Sequence, residues 1–219
     1  MTTTLSETDS KSLLAGFGVP IAQERLAADP DEAVAAATAI GFPVVAKLNG
    51  DAIAHKTERG LVRLGLGDAE AVRRAATDLL ALSVPDDGPV QVLVAPMVQG
   101  SRELIAGLAF DEQFGMTVML GVGGVLAEAI GDVTLRMVPI EPVDAADMID
   151  DLATQALLGE FRGEPAVDRD ALASVLLGLS AAAVADPRIV SADLNPLIVC
   201  DGRPIAVDAL VEITVEETS

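Results

Sequence analysis

The stretch from Asp29 to Leu48 constrains the fold more than any other. Asp29-Pro30-Asp31-Glu32 marks a helix start: an aspartate to cap the free amides, proline at the first helical position, and acids in the first turn. Gly41, after Ile40, is the matching stop. The run from Pro43 to Leu48 then reads as a buried strand ending near Lys47. A capped helix running straight into a buried strand requires mixed layers of helix and sheet.

The rest of the chain keeps that mixture. Helices are expected over Ser10 to Phe17, Asp68 to Leu82, Ala145 to Leu158 and Asp168 to Ala185. Strands are expected over Val19 to Leu26, Gly60 to Leu66, Val90 to Val98 and Val133 to Ile140. Glu103 to Phe110 and Met116 to Leu120 form a hairpin. Ile189 to Val199 and Pro204 to Glu212 form another pair, turning at Asp201-Gly202. Hairpins mixed with helices predict an α+β fold rather than one regular doubly wound sheet. Residues 1–8 read as a loose tail.

With 219 residues, 51% of them apolar, the chain can bury one large core or two small ones. Five Phe and no Trp or Tyr mean that Ala, Val, Leu and Ile must build it. A net charge of −20 argues against nucleic acid as a partner, because phosphate backbones need a basic face. Cys200 is the only cysteine, which excludes an internal disulfide and a multi-cysteine metal site and suits a reducing cytoplasm. The first residues lack a basic and an apolar signal region. No apolar run reaches spanning length, so no membrane role is expected.

Against this acidic background the cations are placed tellingly. Of three lysines, Lys47 and Lys56 bracket His55, the only histidine. Scarce positive charge after an apolar strand suits phosphate oxygens, and imidazole is a competent nucleophile near neutral pH. Taken singly, each feature has a plainer reading: a surface histidine, a solvated lysine, a tight turn at Gly121 to Gly124. That turn lacks the GxGxxG spacing of a dinucleotide site.

Taken in order, the motifs are specific. They are Gly41-Phe42-Pro43-Val44-Val45-Ala46-Lys47, His55-Lys56-Thr57-Glu58, Arg102-Glu103-Leu104-Ile105-Ala106-Gly107, Phe114-Gly115, Gly121-Val122-Gly123-Gly124, Asp193-Leu194-Asn195-Pro196-Leu197 and Ala206-Val207-Asp208-Ala209. Over about residues 10–214 the chain resembles the ATP-grasp module of ADP-forming acyl-CoA synthetases, the β subunit of ADP-forming acetyl-CoA synthetase, and more distantly that of succinyl-CoA synthetase.

The resemblance implies an ATP-grasp fold of two α+β lobes, residues 9–98 and 99–219, with nucleotide bound between them. It implies ATP or ADP with Mg²⁺ as cofactors. Lys47 would contact the nucleotide phosphates, and Val94, Ala95 and Met97 would lie on the strand that meets adenine. Glu103 would hold the ribose or the nucleotide edge, and Gly123 and Gly124 would also bind the nucleotide. Asn195 and Asp208 would be the Mg²⁺ ligands. Arg136 would face the phosphoryl group, and His55 with Lys56 would relay it.

The implied activity is reversible phosphoryl transfer between a phosphohistidine and ADP, within the conversion of acid, CoA and ATP to acyl-CoA, ADP and phosphate. The implied partner is a CoA-binding α subunit carrying the phosphorylatable histidine, through which CoA and a small carboxylic acid are met. Two alternatives stand beside it: a non-catalytic ATP-grasp binding or regulatory subunit, and another ATP-grasp carboxylate ligase. The first is motivated by three departures from the family pattern. Ser191 stands where a glutamate is usual, Leu61 where a glycine is, and Leu210 where an arginine is.

Overall fold

The computed structural model describes residues 1–50, 52–53, 56, 59–124 and 127–215. In chain order the elements are β1 (Thr2–Thr4), α1 (Glu7–Ala15), β2 (Arg25–Ala27), α2 (Pro30–Ile40), β3 (Val44–Asn49), β4 (Val62–Leu66), α3 (Ala69–Ala81) and β5 (Gln91–Pro96). Next come β6 (Arg102–Asp111), β7 (Gly115–Val122), α4 (Ala127–Ile130), β8 (Val133–Met137), α5 (Pro142–Asp150), α6 (Arg169–Ala185), β9 (Ile189–Cys200), β10 (Arg203–Ala206) and β11 (Leu210–Thr214). They form two compact units. The smaller holds Ser6–Thr8 and Ala22–Val98; the larger holds Met1–Leu5, Asp9–Ile21 and Gln99–Ser219.

The smaller unit is a four-stranded antiparallel sheet, ordered β2-β5-β3-β4, covered by α2 and α3. The expected helix start is in place: Asp29 accepts the amides of Asp31 and Glu32, and Gly41 ends α2 at φ +98°. Ala33, Ala36 and Ala37 form the buried face of α2. Their i, i+3, i+4 spacing and small size let the helix lie close to the sheet, as an aromatic-poor core requires. α3 adds Val72, Ala76 and Leu79, and every residue of β3 is buried.

The larger unit is a seven-stranded antiparallel sheet. Its order is β1-β11-β9-β6-β7-β8, with β10 also on β9. One face is covered by helices, with Leu172, Val175, Leu176 and Leu179 of α6 and Met148 and Ile149 of α5 in its core.

Four expectations change. Residues 1–8 are not a loose tail. Thr2–Thr4 pair with β11, and the Leu5 amide donates to the Val211 carbonyl, which satisfies an edge that would otherwise be open. Residues 9–21 belong with the larger unit rather than with an N-terminal lobe. Leu14 and Val19 lie in its core, and a side chain at Gly178 of α6 would meet the Phe17 carbonyl at 2.8 Å.

The helix expected to reach Leu158 stops at Asp150. The Asp132 carboxylate takes the amides of Ala153 and Thr154, while the Gln155 side chain bonds the carbonyls of Ile149, Asp150 and Leu152. The last expected strand splits in two, because the long β9 takes two partners in turn. β10 pairs with Leu197–Cys200 and β11 with the stretch up to Asp193. The break between them holds Asp208.

Candidate functional site

In the smaller unit, the buried β3 carries Lys47 between Leu93 of β5 and Val62 of β4. Lys47 and Lys56 are only 7% and 9% exposed. Both ammonium groups reach one carboxylate, that of Glu7, which is 1% exposed. Lys47 Nζ lies 2.7 Å from Glu7 Oε1, and Lys56 Nζ lies 2.6 Å from Glu7 Oε2. The sequence placed the lysines near each other but gave no sign of Glu7, which lies forty residues before Lys47. His55 lies outside the described residues.

The chain around Lys56 is anchored. The Leu61 amide donates to the Lys56 carbonyl at 2.8 Å, and Arg59 makes a two-pronged pair with Asp87 at 2.7 and 2.9 Å. That hydrogen-bonded guanidinium, with the Val84 amide, holds the Asp87 carboxyl below the usual carboxylate range. Leu61 is 1% exposed and belongs to the core of this unit. It follows Gly60, which supplies the positive φ of the turn.

The strand expected to meet adenine is β5. Val94 is held on both sides, opposite Ala46 of β3 and Arg25 of β2, so its backbone belongs to the sheet. The β2 ladder ends there, and Ala95 continues beyond it with β3 alone. The Met97 amide is committed to the Pro43 carbonyl at 3.0 Å.

In the larger unit, one face of the sheet gathers most of the remaining candidates. Directly paired residues of antiparallel strands share a face. Asp193 is opposite Gly107, which is opposite Met119, which is opposite Leu135. Glu103 lies two pleats from Gly107 on the same face. Its carboxylate would be 3.7 Å from a side chain at Gly124, and its carbonyl accepts the Gly123 amide at 2.8 Å. Both glycines are required. A side chain at Gly123 would stand 3.0 Å from the Leu104 backbone, and Gly124 has φ +83°.

Asn195 hydrogen-bonds the Asp193 side chain, and Asp208 stands near enough to act on it electrostatically. The Val207 amide donates to the Pro196 carbonyl at 3.3 Å and draws the break between β10 and β11 toward this part of β9. Asp193 reaches solvent, yet its carboxyl is pushed above the usual range. Partial desolvation is the main cause and the charge of Asp208 the second, with the Asn195 hydrogen bond opposing both. Asp193 was not among the expected ligands, although its own motif pointed to it.

Two crowded carboxylates and an amide oxygen are a hard-oxygen donor set. Among the described residues, no three His, Cys, Asp or Glu side chains gather into a metal cluster. Mg²⁺ takes such hard oxygen ligands and keeps waters and substrate phosphates beside them. The residues therefore fit the expected Mg²⁺, with Asp193 added to Asn195 and Asp208.

Arg136 stands elsewhere. It is opposite Val118, in the row that continues through Leu108 to Ala192, all buried under the helices. Strand alternation thus puts Arg136 on the opposite face from Asp193 and Glu103. There it pairs with Asp151 at 2.5 Å, just past the end of α5. The glutamate missing at Ser191 is answered from the next strand. Ser191 is opposite Glu212, and its hydroxyl donates to Glu212 Oε2 at 2.8 Å. The sheet keeps a carboxylate at that level, two residues along from Asp193.

Comparison with known proteins gives these features a family. The model of the ATP-grasp domain matches residues 1–213, and the chain belongs to that family. It is 34% identical over 208 residues to the β subunit of acetate–CoA ligase [ADP-forming] I of Pyrococcus furiosus, covering 94% of this chain and 90% of that one. The structure superposes with TM-score 0.89 on acetyl-coenzyme A synthetase 1 of Ca. Korarchaeum cryptofilum in complex with coenzyme A and Ca-AMPCP. That match has 35% identity and covers 97% and 94% of the two chains. The same synthetase with coenzyme A and Mg-AMPPCP, its phosphohistidine segment pointing towards the nucleotide binding site, superposes with TM-score 0.83 at 35% identity, covering 97% and 93%.

Proposed function

We propose that this chain is the nucleotide-binding subunit of an ADP-forming acid–CoA ligase. In this reading it moves a phosphoryl group between a partner's phosphohistidine and ADP. The observation that carries it is the similarity of the chain, along nearly its whole length, to such β subunits; each unit by itself supplies a fitting cluster, two buried lysines on Glu7 in the smaller and Asp193 with Asn195 and Asp208 in the larger.

Phosphoryl transfer asks little covalent chemistry of a protein; positioning and charge stabilisation do most of the work. Lys47 and Lys56 supply positive charge for the phosphate oxygens. Glu103 and the Gly123-Gly124 turn hold the sugar end, and β5 beyond Val94 offers backbone to the base. Bound Mg²⁺ would neutralise phosphate charge, with Asp193, Asn195 and Asp208 holding it. Neutral His55 accepts the phosphoryl group as the bond to the partner's histidine breaks. A β-phosphate oxygen of ADP then takes it, and imidazole is released.

The CoA-binding α subunit, CoA and the carboxylic acid belong to this proposal, as do the cytoplasm as its place and Mg²⁺ as its ion. No helix among the described residues is long and apolar enough to cross a membrane. Reconstitution with a CoA-binding subunit tests the reading. ATP, acid and CoA should give acyl-CoA, ADP and phosphate, and His55→Ala should lower turnover at least about a hundredfold while ADP still binds. A His55→Ala enzyme with wild-type turnover would show direct transfer to the nucleotide instead.

A further inference from the structure

We infer that Glu7 is a positioning residue for phosphate recognition. Its carboxylate sets the two lysine ammonium groups side by side so that one polyphosphate can engage both. The inference deepens the reading above and rests on it.

The geometry is specific. Glu7 gives one oxygen to each lysine, at 2.7 Å to Lys47 and 2.6 Å to Lys56. All three side chains are at least nine-tenths buried. The lysines come from different surroundings. Lys47 is fixed in the middle of β3, whereas Lys56 belongs to the connection between β3 and β4. Two ammonium groups held this close in a low-dielectric interior repel each other. A carboxylate shared between them offsets that repulsion and fixes their separation. Each ammonium has three N–H donors and gives Glu7 one of them.

Lysine is a flexible point charge, unlike the rigid fork of arginine. A lysine-built phosphate site therefore needs an outside group to hold the charges in place, and Glu7 has the length and burial for it. The residue starts α1, so its backbone is fixed by a helix rather than by a loop. The contacts of Lys47 and Lys56 with Glu7 also tie the loop connection at Lys56 to the strand at Lys47.

The experiment compares wild type, Glu7→Gln and Glu7→Asp in the full chain. Binding of ADP and of adenosine is measured calorimetrically with Mg²⁺, below each protein's melting temperature. Glu7→Gln keeps the shape but cannot hold two ammonium groups with charge. It should weaken ADP binding about tenfold or more and leave adenosine binding within twofold of wild type. Glu7→Asp keeps the charge and should recover part of the loss.

A merely structural role would lower the melting temperature and leave the ADP-to-adenosine ratio unchanged, and that result would overturn the inference. So would tighter ADP binding by Glu7→Gln, which would make Glu7 a competitor of phosphate. Failure of wild type to bind ADP would instead remove the nucleotide-binding reading, and the inference with it.

Discussion

The two candidate clusters, Glu7 with Lys47 and Lys56 in the smaller unit and Asp193 with Asp208 in the larger, manage charge differently. In the smaller one, buried charges are matched. Glu7 faces Lys47 and Lys56, and Asp87 is gripped by Arg59. In the larger one, the carboxyl of Asp193 is pushed up, first by partial desolvation and second by the charge of Asp208. The matched region is prepared in the absence of ligand. On the proposed reading, a divalent cation would relieve the second cluster. The difference teaches that charge can be prepared for a ligand either by a shared counter-charge or by desolvation beside a like charge.

The largest break in that comparison is Lys47→Met. Glu7 would lose a buried ammonium partner, and breaking a buried pair from one side costs about 3–5 kcal/mol. Chemical denaturation should register the loss along with weakened ADP binding. A stability within about 1 kcal/mol of wild type would mean that the buried charges are not matched as described.

Asp208→Asn should cost less and act differently. Losing a charge-assisted ligand contact is worth about 1.5–3 kcal/mol, so Mg²⁺-dependent ADP affinity should fall about tenfold or more. Loss of stability without loss of Mg²⁺ dependence would contradict the assignment.

The pH dependence should separate the units further. Asp193 holds its proton more tightly folded than unfolded, so it makes stability fall as pH rises from the ordinary carboxylate range through its raised pKa. Asp87 does the reverse. Its lowered pKa stabilises the fold above the ordinary range, and that contribution is lost as pH falls through the folded value. Melting curves across mildly acidic pH should show Asp193→Asn flattening the first trend and Asp87→Asn flattening the second. The smallest effect belongs to Arg136→Gln. A half-exposed pair with Asp151 is worth at most about 1 kcal/mol, and ADP affinity should not change.

The sequence carried local signals well. Asp29, Pro30 and Gly41 bound α2 because caps are set by neighbouring residues. Glu103 lies beside the Gly123-Gly124 turn, and Asn195 and Asp208 both act on Asp193. What escaped was set by pairing over distance. Glu7 meets Lys47 across forty positions, and Glu212 meets Ser191 across a strand pair. Arg136 was misplaced for a different reason. Its strand was legible, but only the register with Val118, Leu108 and Ala192 shows which face it takes. The paired Thr2–Thr4 were hidden because a short polar strand looks like a tail until its edge partner is known.

The central claim is that the crowded carboxylates bind the metal of a metal–nucleotide complex. The direct measurement is calorimetric titration of the full chain with ADP, with Mg²⁺ present and with Mg²⁺ chelated, for wild type and for Asp193→Asn with Asp208→Asn. Wild type should bind ADP at least about tenfold more tightly with Mg²⁺ than without, and the double variant should bind equally under both conditions. Mg²⁺ dependence that survives unchanged in the double variant, or wild-type binding indifferent to Mg²⁺, would contradict it.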